Sequence, residues 1–186
     1  MSLYFASTTP DWRRPVWIGL MAAASVALTL GFACATPFAA FAALAALTLP
    51  RREALALTGL VWFANQAIGF GVMHYPVDGM TIAWGFGLAA SAIAACLAAE
   101  ICARRFPAPA PLTAGAAFLA AFVAYEAVLV ACAFLIEGGD PAFTVAIVAR
   151  IFAINAAVFV GLMIVARLGA AAGLIPQDSP RVALAR

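Results

Sequence analysis

Along the chain, apolar residues run in long stretches broken by short tracts rich in Arg, Pro, Gly and acid, and six such stretches stand out. They run from Pro15 to Ala35, Pro37 to Leu49, Ala54 to Met73, Met80 to Cys102, Leu112 to Ile136 and Ala142 to Leu168. A bilayer core of roughly 30 Å takes about 20 apolar residues as helix. Five of the six stretches reach that length. The second holds 13 residues between Thr36-Pro37 and Pro50-Arg51-Arg52-Glu53, and reads as a short crossing or as a tilted or re-entrant element. The connecting tracts 74–79, 104–111 and 137–141 hold most of the remaining Pro, Gly and charge, which marks them as loops.

Composition narrows the class further. The 186 residues are 67% hydrophobic and 10% charged, where soluble domains carry roughly 25% charged residues. A soluble domain, a disordered chain and a disulfide-stapled module are thereby excluded. The basic residues are all Arg, six of the ten in adjacent pairs rather than along one basic face, with a net charge of only +2, which also excludes a nucleic-acid binder. The expectation is an all-α, polytopic membrane protein of six transmembrane helices with a short second helix. It forms one integral domain over residues 1–186: an N-terminal segment 1–14, a bundle 15–168 and a tail 169–186.

Arg also sets the orientation. Arg13 and Arg14 precede the first helix, Arg51 and Arg52 separate the second and third, and Arg104 and Arg105 the fourth and fifth. Arg167, Arg181 and Arg186 end or follow the sixth, so six spans put nine of the ten arginines on one side. The opposite loops hold Asp78, Glu137 and Asp140. The positive-inside rule then predicts both termini in the cytoplasm, in the inner (cytoplasmic) membrane. A signal-peptide reading of Arg13-Arg14 with Ala33-Cys34-Ala35 is opposed by an apolar run longer than the usual 7–15 residues, and cleavage would leave five helices with the same Arg pattern. A lipoprotein reading of Cys34 is opposed by Gly31, where an aliphatic residue is expected.

Catalytic chemistry finds no foothold. Cys34, Cys96, Cys102 and Cys132 form no CxxC pair, and His74 is the single histidine. No glycine-rich phosphate loop, HExxH or GxSxG is present. The chain is therefore read as a non-enzyme without metal or cofactor.

The informative residues are polar groups inside the spans. Asn65 and Gln66 lie on the third helix, Tyr125 and Glu126 on the fifth, and Arg150 and Asn155 on the sixth. An ionisable side chain in a span costs at least roughly 2.5–3.5 kcal/mol on insertion scales, so it faces a partner or a wet cavity. At about 1.5 Å of rise per residue, Asn65, Gln66 and Glu126 fall roughly 3–4 Å, and Arg150 roughly 7–8 Å, to the outer side of the bilayer centre. His74 and Tyr75 stand at the outer mouth of the third helix. Two readings follow. Glu126 and Arg150 form a buried ion pair while Asn65 and Gln66 bridge helices; or these groups floor a small-molecule pocket walled by Trp62, Trp84 and Phe122. Trp84 also suits an interfacial aromatic belt. Arg150 and Asn155 lie about 140° apart around a helix, so only one points squarely inward, and Arg150 is taken as that one.

Six helices in fewer than 200 residues, both termini inside, a small-residue first helix with Ala23-xxx-Ala27, and a polar cluster in the outer half resemble the substrate-binding S-component of energy-coupling factor (ECF) vitamin transporters. The resemblance covers nearly the whole chain and rests on architecture, with no diagnostic motif. It implies capture of a vitamin or vitamin precursor near the outer surface. A separate transmembrane coupling protein and cytoplasmic ATPases would then drive import. It further implies ligand contacts from Asn65, Gln66, His74, Tyr75, Trp84, Glu126 and Arg150, with the Thr36-Pro37 loop over the pocket. Two other classes remain open: a non-transporting scaffold or assembly protein whose polar residues only fix helix packing, and a stand-alone proton-coupled carrier using Glu126.

Overall fold

The computed structural model describes residues 12–32, 36–106, 108–136 and 143–174, all helices and connections. Cys34, Glu137, Asp140, Arg181 and Arg186 lie outside the described residues. Six helices occur in chain order: α1 (Arg13–Phe32), α2 (Phe38–Thr48), α3 (Arg51–Gly71), α4 (Gly79–Arg105), α5 (Ala110–Ile136) and α6 (Val145–Ala171). All but α2 are long and apolar enough to cross a membrane. The protein is an all-α, multi-pass membrane protein.

Helix α2 departs most from expectation. Its 11 residues span about 16 Å at 1.5 Å per residue, well short of a hydrocarbon core. Every one of them is buried within the bundle. A helix that is apolar all round has no face to offer water and is stable only inside. Here α2 forms the core itself, surrounded by α3, α4, α5 and α6. Ala39, Ala40, Ala42, Ala43, Ala45 and Ala46 let those neighbours approach closely, because they carry little side-chain bulk. Pro37 and Pro50 bound the segment, and Pro50 opens α3 directly.

Contacts fix the heights of the helices. Arg14 on α1 meets Glu53 on α3 at 3.3 Å, and Thr29 on α1 meets Thr36, just before α2, at 3.5 Å. The same Thr36 accepts from Asn65 on α3 at 2.8 Å. Arg51 and Asn65 are about 21 Å apart along α3, so α1 and α3 run side by side in one direction. The segment 36–50 brings the chain back from the level of Asn65 to that of Arg51. On α4, Gly85 lies against Trp62 at one end and Glu100 against Arg51 at the other, which makes α4 antiparallel to α3.

The bundle therefore has two polar levels. At the arginine-rich end, Glu100 is buried, its side chain 6% exposed, beneath Arg104 at 2.7 Å and Arg51 at 3.6 Å. Together with Arg14–Glu53 these links tie α1 to α3 and α3 to α4. The sequence shows the arginines and the glutamates but not which glutamate anchors which arginine. Both helices also begin or end on these charges, because backbone hydrogen bonding continues through residues at which hydropathy falls. The second level lies about 20 Å away and holds the candidate site.

Helix α4 starts at Asp78, whose carboxylate accepts from the Thr81 backbone N–H at 2.8 Å. That hydrogen bond holds the Asp78 carboxyl below the usual range. A lowered folded-state pKa means the cap contributes fully above the ordinary carboxylate range and is lost as pH falls through the folded value. Hydrogen-exchange protection at the Thr81 amide should accordingly drop below about pH 4 in the wild type. It should already be low, and insensitive to pH, in Asp78→Ala.

Candidate functional site

On α3, Asn65 and Gln66 complete one another. Asn65 Nδ2 donates to Thr36 Oγ1 at 2.8 Å, and Gln66 Nε2 donates to Asn65 Oδ1 at 3.1 Å. With Thr29 behind Thr36, the chain of amides and hydroxyls links α1, the start of α2 and α3. Trp62, one turn below Gln66, donates its indole N–H to the Gly85 carbonyl at 2.8 Å. Gly85 is closely approached: a Cβ on residue 85 would stand 2.8 Å from Gln66 Oε1 and would displace that amide. Trp84 is half-buried beside it and packs against the core.

His74 and Tyr75 end α3. His74 takes a left-handed backbone (φ 54°) and is exposed, while the Tyr75 N–H donates back to the Gly69 carbonyl at 3.0 Å. Such a reversal satisfies carbonyls left open at a helix C-terminus. It lays the Tyr75 ring against Gly69, where a Cβ would meet ring carbons at 2.8 Å, and edge-on to Phe70 at 6.5 Å. Both residues stand at the mouth of α3, as the sequence predicts. Their observed role is to close that helix.

The α5–α6 side is built differently. Helices α5 and α6 are joined mainly by rings. Phe118 stacks on Phe159 at 4.8 Å, and Phe122 meets Phe152 edge-on at 5.0 Å. Tyr125 packs against Phe38 of α2 at 6.2 Å. Glu126 follows one helical turn beyond Phe122, on the same side of α5. It is 9% exposed, and neither carboxylate oxygen has a hydrogen-bond partner among the described residues. Buried charged groups are nearly always paired or hydrogen-bonded; Arg14 Nε, Trp17 Nε1 and Glu53 Oε2 also lack a partner, but among the described residues Glu126 is the carboxyl with both oxygens unmet.

The structure corrects the sequence reading of α6. Arg150 is exposed and turned away from the bundle, and no ion pair joins it to Glu126 among the described residues. Asn155 is the inward residue, 0% exposed, and its Oδ1 accepts from the Ala40 backbone N–H at 3.2 Å. Pro37 provides no side-chain cap for α2, so Asn155 fills that role from 115 positions away in sequence. The choice follows from register. Asn155 falls in line with the buried Phe159, Leu162 and Ala166, whereas Arg150 falls in line with the exposed Ala153, Ala157, Val160 and Ile164. The expected floor of Asn65, Gln66, Glu126 and Arg150 thus separates into three parts. Asn65 and Gln66 are bonded within the chain, Arg150 faces outward, and Glu126 is buried with neither oxygen bonded. Thr29 was not singled out by sequence, since a threonine in an apolar helix usually bonds its own backbone.

Among the described residues no group of three or more His, Cys, Asp or Glu side chains could hold a metal ion. No protein-family model, curated protein or solved structure matches this chain, so its side chains alone carry the functional argument.

Proposed function

We propose that this chain is the small-molecule-binding component of a membrane importer, capturing a vitamin or vitamin precursor at its arginine-poor, outward-facing end. The observation that carries the reading is Glu126, a buried carboxyl whose two oxygens meet no donor within the described chain. Inside a bilayer an unmatched polar group of this kind is a functional marker by default. Arginines gathered at the opposite end support cytoplasmic termini and an outward-facing Glu126. Gly19, Ala23, Ala27 and Gly31 stand on the exposed side of α1. Small residues at every fourth position allow a second helix to lie close, which suits the coupling protein that the ECF resemblance implies. With no ATP-binding motif in the sequence, energy for import would come from such partners.

A scaffold reading has one observation in its favour. Asn65, Gln66, Thr36 and Asn155 are all used in bonds inside the bundle, as helix-packing residues are. It leaves Glu126 without a task. Protein purified in mild detergent, denatured and extracted for mass spectrometry should release a stoichiometric small molecule. Glu126→Ala should reduce its occupancy at least tenfold, and Arg150→Ala, altering a side chain that faces away, should not. A wild-type protein that carries no molecule, or an equal yield from Glu126→Ala, would leave the scaffold.

A further inference from the structure

We infer that the molecule held at Glu126 is a small organic cation carrying one positive charge. The inference rests on the binding reading above and adds the chemistry of the ligand. An ionised carboxylate in an apolar interior needs a counter-charge, and the described chain offers none within reach. Arg150, nearest in height, points outward. Arg14, Arg51 and Arg104 are engaged at the other level, about 20 Å away. His74 lies exposed beyond the end of α3.

Aromatic residues stand close to Glu126 along α5. Phe122 stands one turn below it, and the ring of Phe152 meets Phe122 at 79°. Tyr125, its neighbour in sequence, is packed on Phe38. A carboxylate attracts a cation directly, and an aromatic ring one helical turn away adds the attraction of its negative face. A cation brings the counter-charge that lets the buried carboxyl ionise, whereas an anion would be repelled by the ionised form. A bare metal ion is disfavoured too, because hard cations take six or more oxygen ligands and the described residues hold no group of three or more His, Cys, Asp or Glu side chains. One carboxylate matches one charge, so the class is an alkylammonium or a protonated or quaternised heteroaromatic ring.

The test uses matched pairs of probes with the full chain in detergent: choline against 3,3-dimethylbutan-1-ol, and benzylamine against benzyl alcohol and benzoate. Calorimetric titration should show at least one cation binding tenfold or more tighter than its uncharged partner. Glu126→Gln should abolish that preference, while Glu126→Asp, which keeps the charge, should retain it. Equal affinity within both pairs, a preference for benzoate, or no binding by either cation overturns the inference. Failure of the parent reading is distinguishable. A co-extracted molecule that depends on Glu126 but is neutral or anionic on ion exchange removes the cation and leaves the binder. No co-extracted molecule removes both.

Discussion

Glu126→Leu should raise the thermal stability of the empty protein while abolishing ligand retention. The carboxyl is buried with no hydrogen-bond partner, and leaving a buried polar group unsatisfied costs about 1–3 kcal/mol. Leucine is similar in volume and removes that cost. Binding should weaken at least tenfold, about 1.4 kcal/mol, because the ligand loses its charged anchor. Gain in stability with loss of function is the pattern of a site kept at the expense of packing. A residue that only fixes helix register behaves in the opposite way, since its replacement weakens the fold. Thermal unfolding of ligand-stripped wild type and variant, read alongside mass-spectrometric occupancy, separates the two. Lower stability of the leucine variant would count against the site.

Asn155→Ala should be among the most destabilising single changes in the bundle. It removes the acceptor for the Ala40 N–H in the first turn of α2 and opens a space at a fully buried position. The orphaned donor alone costs about 1–3 kcal/mol. Its consequence is wider than one bond, because α6 is held to the rest of the bundle through α2 and the phenylalanine rings. Hydrogen exchange at the Ala40 amide should accelerate, and protection along α6 should fall with it. Unchanged exchange at Ala40 would show that the Asn155 bond contributes nothing to the seating of α2.

How much of this was legible in the sequence depends on which physical signal each residue carries. The five long helices follow from the lengths of their apolar runs, since only helix satisfies the backbone in lipid. Helix α2 has the same apolar composition as a span, and hydropathy does not separate a segment buried in protein from one bathed in lipid. Its alanines hold the difference: they carry too little surface to repay exposure to lipid, and they suit a position where four helices converge. The level shared by Asn65, Gln66, Glu126 and Asn155 was readable from rise per residue. The rotation of α6 differs from the sequence expectation, although the line of Phe159, Leu162 and Ala166 behind Asn155 carries that information. Sequence reasoning places Arg150 inward on α6. A long arginine facing outward can instead carry its head group toward the membrane surface while its stem stays in apolar surroundings. The isolation of Glu126 is a tertiary fact. No spacing along one chain reveals that neither neighbouring helix brings a donor to it.

The most direct test of the account is an experimental structure of the protein, purified without stripping and reconstituted in a lipid nanodisc, resolved well enough to show what lies beside Glu126. The account predicts compact non-protein density within hydrogen-bonding distance of a Glu126 oxygen, next to Phe122 and Phe152, with Arg150 directed to the lipid. Glu126 bonded to Arg150, or facing acyl chains with nothing bound, would contradict it.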